Sequence, residues 1–121
     1  MANILTVDDS VSIRQMIKVV LAPLGHNVIE AGDGAQGLAK AKASRPDLII
    51  TDLNMPVMNG MELIRALRAL PALTGLPIVF LTTESSDAVK QEAKKAGATG
   101  WITKPFSQEQ LLGVVNKLVR A

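Results

Sequence analysis

The chain of 121 residues has no cysteine and no tyrosine, and its aromatic residues are one Trp and two Phe. Without cysteine there is no disulfide scaffold and no thiolate metal site. The lone histidine, His26, excludes a multi-histidine metal cluster and gives a Ser-His hydrolase no spare candidate. No apolar run approaches the ~18 residues needed to span a bilayer. The opening Met1-Ala2-Asn3-Ile4-Leu5 has neither the basic start nor the apolar stretch of a secretory signal, so a cytoplasmic protein with no membrane partner is expected. An excess of one charge is also missing. Lys and Arg number 13 against 11 acids, a net charge of +2, and they are spread along helices; no nucleic-acid partner is expected despite a pI near 9.2. The length suits one domain, 1–121, with no separate effector domain. Its chemistry must come from carboxylates, hydroxyls and lysines.

What is present is an alternation of short β-branched apolar runs with longer segments of helical period, the pattern of repeated βαβ units around a parallel sheet. It predicts strands over 3–7, 27–30, 47–51, 78–81 and 100–103. The first, third and fourth are almost wholly apolar and are expected at the centre of the sheet, covered on both faces. Ile13, Met16, Ile17, Val20 and Leu21 keep a helical spacing that Pro23 and Gly25 end. Further helices are predicted over 35–44 and 60–70, and after the Ser107-x-x-Gln110 capping box, with Leu111, Val114, Val115 and Leu118 inward. The segment 86–96 has only Ala88, Val89, Ala93 and Ala96 as apolar side chains, so it is expected to be a weakly anchored surface helix.

In an open parallel sheet ligands bind beyond the carboxyl ends of the strands, where the strand order reverses. Asp8 and Asp9 follow the first strand and Asp52 the third; if these strands are neighbours, three acids converge. Two unit charges ~4 Å apart interact by roughly 4 kcal/mol at an effective dielectric of 20, so a bare cluster is strained and a hard divalent cation such as Mg²⁺ is the natural remedy. Taken alone, Asp8-Asp9 reads equally well as the N-cap of the next helix, and Asp52 as a loop acid. Thr82 and Lys104, at the ends of the fourth and fifth strands, supply a hydroxyl and an ammonium that suit a phosphoryl group on Asp52. The Lys104-Pro105 bond is a candidate cis peptide that turns the lysine over the sheet's end, or else a trans proline opening the last loop.

The segments Val7-Asp8-Asp9-Ser10, Thr51-Asp52-Leu53-Asn54-Met55-Pro56 through Asn59-Gly60, Leu81-Thr82-Thr83-Glu84 and Gly97 through Phe106 resemble the receiver domains of bacterial response regulators. Among these the chain is most similar to single-domain chemotaxis regulators of the CheY type. The resemblance implies a flavodoxin-like (βα)5 fold with strand order 2-1-3-4-5. It implies that Asp52 accepts a phosphoryl group from a sensor histidine kinase of the CheA type. Asp9, Asp52 and the Asn54 carbonyl would hold Mg²⁺, with Asp8 acting mainly through bound water, and Lys104 would pair with the acyl phosphate. Thr82 would move to the phosphoryl group and the aromatic at 101 would swing inward, changing the surface of the fourth helix, fifth strand and fifth helix. Asn54 and Glu84 match the pair that tunes phosphoryl hydrolysis. Trp101 stands where Tyr or Phe is usual, and its larger indole is expected to rotate less freely or to rest partly exposed. A monomer is implied, which binds a flagellar motor switch protein or another target and meets a phosphatase, or acts as a phosphate sink or phosphorelay member.

Two rivals use the same residues. Gly32-Asp33-Gly34-Ala35-Gln36-Gly37 is formally G-x-G-x-x-G, with Asp52 about 20 residues on, as in dinucleotide-binding domains. That reading leaves Asp8, Asp9, Thr82 and Lys104 without a role, and the glycines are better suited to a tight turn and helix start. A Mg²⁺-dependent phosphatase with Asp52 as nucleophile shares the acids, but position 54, where a second acid is a common device, is Asn. His26 is expected in a solvated turn, and Met55, Met58 and Met61 are expected to fill gaps around the Asp52 loop and the next helix.

Overall fold

Side chains on successive strand residues point to opposite faces, and here both faces are apolar, which calls for helices on both. The computed structural model, which describes residues 2–84 and 86–119, has this arrangement. Strands β1 (Asn3–Val7), β2 (Asn27–Ala31), β3 (Leu48–Thr51), β4 (Ile78–Thr82) and β5 (Gly100–Thr103) form one parallel sheet in the order β2-β1-β3-β4-β5. The expected flavodoxin-like fold is therefore present, with β1, β3 and β4 central. Helices α1 (Val11–Leu21), α2 (Gly34–Ser44), α3 (Gly60–Arg68), α4 (Asp87–Ala96) and α5 (Gln108–Leu118) make the crossovers.

The period of two divides the core. Ile4, Leu48, Ile50, Val79, Leu81 and Ile102 pack against Ile17 and Leu21 of α1 and Leu111 and Val115 of α5. Leu5, Val7, Ile49, Ile78 and Phe80 pack against α2, α3 and Ala93 of α4. Ala93 is the one buried residue of α4, so that helix is as lightly anchored as its composition predicts. Met61 is buried, and Met55 and Met58 pack against the same cluster. No helix among the described residues is long and apolar enough to cross a membrane.

Helix starts follow their caps. Ser10 caps α1, its hydroxyl accepting from the Ile13 amide at 3.3 Å, so the capping role that could have claimed Asp8 or Asp9 is filled. Asn59 with Glu62 and Ser107 with Gln110 form capping boxes on α3 and α5. Three expectations need correction. Asp47 lies outside β3 because its side chain takes the Asn3 amide at 2.8 Å. Helix α3 ends at Arg68 because a single 3₁₀ turn, Pro71–Leu73, follows. His26 is half-buried, not solvated, and its Nδ1 is buried without a partner among the described residues.

The glycines that imitate a dinucleotide motif have another cause. A Cβ on Gly34 would lie 2.2 Å from the Met58 carbonyl oxygen, and one on Gly37 would lie 2.9 Å from Val7 Cγ2. They let α2 press onto β1 and the loop after β3. Asp33 caps α2 through the Gln36 amide at 2.8 Å, and Gln36 Oε1 takes the Gly32 amide at 3.1 Å. The helix terminus that would cradle a pyrophosphate is thus filled by the chain's own carboxylate.

Candidate functional site

Parallel strands bring their carboxyl ends to one edge, and the order β1-β3-β4-β5 brings the acids, hydroxyl and lysine of four strand ends together. The ladder continues one residue past β1 and β3, with Asp8 N–H donating to the Ala31 carbonyl at 3.1 Å and Asp52 N–H to the Val7 carbonyl at 2.9 Å. This holds both backbones firmly before any side chain is considered. One carboxylate oxygen from each of Asp8, Asp9 and Asp52 lies within 4.8 Å of the others.

Lys104 reaches into the group from the end of β5. Its Nζ lies 2.9 Å from Asp8 Oδ2 and 3.2 Å from Asp52 Oδ2. The Lys104-Pro105 peptide is cis, and the Lys104 N–H donates to the Thr82 carbonyl at 2.8 Å. The remaining oxygens of the two acids are held by backbone. Asp8 Oδ1 accepts from the Ser10 amide at 2.9 Å and Asp52 Oδ1 from the Leu53 amide at 2.7 Å. Behind Asp52, a Cβ on Gly60 would meet the Asp52 carbonyl oxygen at 2.3 Å and Phe80 Cε1 at 2.7 Å, so only glycine lets α3 start this close.

Asp8 is 2% exposed, and burial pushes its carboxyl above the usual range; the Ser10 amide and Lys104 pull the other way without cancelling it. Burial alone would lower Lys104, but the Asp8 and Asp52 carboxylates outweigh it and raise the ammonium, which therefore stays charged. One ammonium faces three acids. Asp9 is exposed, and its side chain has no ion pair or hydrogen bond among the described residues. The donors are hard oxygens with more negative charge than Lys104 neutralises, which is a set that suits Mg²⁺.

The outer residues surround this group. Thr82 is fully buried at the end of β4, and its hydroxyl accepts from the Glu84 amide at 3.4 Å. Glu84 is half-buried, and Asn54 is exposed two residues past Asp52. Trp101 is half-buried, its ring 5.7 Å from that of Phe80 at 58°, with Lys90 Nζ 6.0 Å from the indole centroid. Its Nε1 is buried without a partner among the described residues. Arg14 and Glu30 also border the site and were not visible in the motif. The signal that could have exposed Arg14 is a cation in the first turn of α1, where the helix dipole disfavours one.

Comparison with known proteins agrees with this geometry. Residues 4–116 match the response regulator receiver domain family. The chain is 34% identical to Protein PilH of Pseudomonas aeruginosa over 98% of both chains. It is 39% identical to the chemotaxis protein CheY of the same organism over 96% of this chain and 94% of that one. Chemotaxis response regulator CheY4 of Vibrio cholerae superposes with a TM-score of 0.94 at 49% identity, covering 98% of this chain and 99% of that one. A receiver domain of a P. aeruginosa sensor histidine kinase, solved with a magnesium ion coordinated in its active-site cleft, superposes at 0.89 with 28% identity, covering 97% and 96%. With its motifs at the carboxyl edge of a 2-1-3-4-5 sheet, the chain belongs to the receiver domains of two-component response regulators.

Proposed function

We propose that Asp52 is the phosphoacceptor of this receiver. The observation that carries the reading is Asp52 itself: a nearly buried carboxylate with one oxygen on a backbone amide and the other on Lys104, beside two further acids. In the transfer, an Asp52 oxygen bonds to the phosphorus of a partner's phosphohistidine as the N–P bond breaks, and the imidazole leaves with its electron pair. Lys104 follows the charge that appears on the phosphoryl oxygens, and Thr82 turns its hydroxyl to donate to one of them. Asp8, Asp9, Asp52 and the Asn54 carbonyl would hold Mg²⁺, which supplies positive charge at the phosphoryl oxygens when bound. Asn54 and Glu84 flank the entrance and set how readily water reaches the acyl phosphate. The domain thus catalyses only its own phosphorylation and dephosphorylation.

The output follows from where Trp101 lies. Between α4, β5 and α5 is a cleft of about 530 Å³ lined by Lys90, Trp101, Ile102, Glu109, Val114 and Lys117. Movement of Thr82 and Trp101 reshapes it, and α4 is lightly held. We assign this surface to target binding by a cytoplasmic, monomeric receiver. Identity to the two chemotaxis proteins supports a chemotaxis role downstream of a CheA-type kinase, with a flagellar motor switch protein as target and a phosphatase ending the signal. The chain is also 38% identical to the DNA-binding response regulator MtrA, about half of whose length it spans, so likeness in the receiver does not by itself select the output. A phosphate sink or relay member outside motor control is the second reading, which keeps the same receiver chemistry and changes only the output.

Phosphotransfer from candidate histidine kinases to wild type and Asp52→Asn tests the reading, followed by capture of targets on the phosphorylated form. Label on the wild type alone is expected. Label that persists in Asp52→Asn overturns the acceptor assignment, and a phosphorylated form that ignores motor switch proteins turns the output to the second reading.

A further inference from the structure

Arg14 is out of place by the rules of its own helix. It lies in the first turn of α1, which contains no acid, and a cation there opposes the helix dipole. Its side chain is only 15% exposed, so it also loses hydration. Two contacts offset these costs. Nη1 donates to the carbonyl oxygen of Asp8, and Nε lies 3.1 Å from Glu30 Oε1 on β2. Glu30 is itself held, with Lys18 Nζ 3.9 Å from its other oxygen and Lys40 Nζ on its carbonyl.

The Asp8 carbonyl belongs to the peptide that joins Asp8 to Asp9. Asp8 is anchored through its amide and both carboxylate oxygens, whereas the Asp9 side chain has no partner among the described residues. The guanidinium therefore fixes the peptide plane from which Asp9 projects. We propose that Arg14, anchored by Glu30, is a positioning residue that presents Asp9 to a divalent cation. This rests on the phosphoacceptor reading above. Because Glu30 neutralises the guanidinium, the effect is geometric: the pair orients a ligand without adding net positive charge beside the metal site.

The sign of one substitution separates this from a charge effect. If Arg14 acted only as a nearby cation, its removal would tighten Mg²⁺ binding. If it positions Asp9, removal loosens binding. Calorimetric titration of the full chain with Mg²⁺ is expected to show a dissociation constant raised about tenfold in Arg14→Gln, the scale of losing an outer-shell partner. Arg14→Lys should not restore it, because one ammonium does not span both acceptors. Glu30→Asp, which keeps the charge but is one methylene too short to hold Arg14, should weaken binding in the same direction and serves if Arg14→Gln fails to fold. Phosphorylation by a small-molecule donor should recover at saturating Mg²⁺. An unchanged or lowered constant in Arg14→Gln or in Glu30→Asp overturns the proposal alone. A wild type that takes no Mg²⁺ overturns both the proposal and the metal reading beneath it.

Discussion

Removing one acid from the cluster should make the metal-free fold more stable, and Asp9→Asn isolates that effect. Asp9 lies within 4.8 Å of both Asp8 and Asp52 and, among the described residues, its side chain contributes no ion pair of its own. At 4.8 Å each repulsion is worth about 0.9 kcal/mol in bulk water and about 3.5 kcal/mol at an effective dielectric of 20. Asp9 is exposed, so the lower value governs, and two such pairs give about 1.7 kcal/mol. Lost attraction to the α1 N-terminus takes back about 0.3–1 kcal/mol, and lost attraction to the Lys104 ammonium beside the other two acids takes back part of the rest. The net gain is at most about 1 kcal/mol, which is up to roughly 4 °C in Tm for a chain of this size. Thermal unfolding followed by circular dichroism, with a chelator at neutral pH, reads it directly. The gap should narrow in high salt and close as Mg²⁺ is added, because the wild type gains most from the cation. An Asp9→Asn protein that melts at or below the wild type in chelator refutes the reasoning that these acids repel one another.

Three further outcomes follow from other parts of the molecule. The Arg68 guanidinium donates to the carbonyls of Gly97 at 2.7 Å, Thr74 at 2.9 Å and Leu76 at 2.6 Å, so Arg68→Ala should cost about 2–4 kcal/mol in denaturant unfolding and speed hydrogen exchange at the end of α4. Val57 is 81% exposed and held at φ 69° in a turn closed by Met58 N–H on the Pro56 carbonyl, so Val57→Gly should stabilise the fold by about 0.5–1 kcal/mol in the same assay. The Lys104 ammonium is raised above its ordinary 10.5, so the stability it adds is present at neutral pH and lost as pH climbs past 10.5; Lys104→Met should lack that alkaline loss in a pH series of melts.

How much of this could be read from the sequence depends on how local each cause is. β1, β3 and β4 are buried on both faces, so their apolar runs announced both the strands and their central place. The convergence of Asp8, Asp52, Thr82 and Lys104 was legible because strand ends in a parallel sheet share one edge. Asp47 misled because its side chain pairs across to Asn3, a contact 44 residues away that no window detects. The G-x-G-x-x-G was ambiguous for a similar reason: what Gly34 and Gly37 approach, Met58 and Val7, is distant in sequence. Arg14 and Glu30 were missed because their pairing joins a helix to an edge strand, and neither residue belongs to a motif.

The central claim is that Asp52 carries the phosphoryl group, and it can be tested with purified protein. Incubation with a small-molecule phosphodonor and Mg²⁺, then intact mass measurement and borohydride trapping with peptide mapping, identifies the acylated residue. The account predicts one added phosphoryl group, trapped at Asp52, and none when Mg²⁺ is chelated. A phosphoryl group trapped at any other residue, or one that forms equally well in Asp52→Asn, would contradict it.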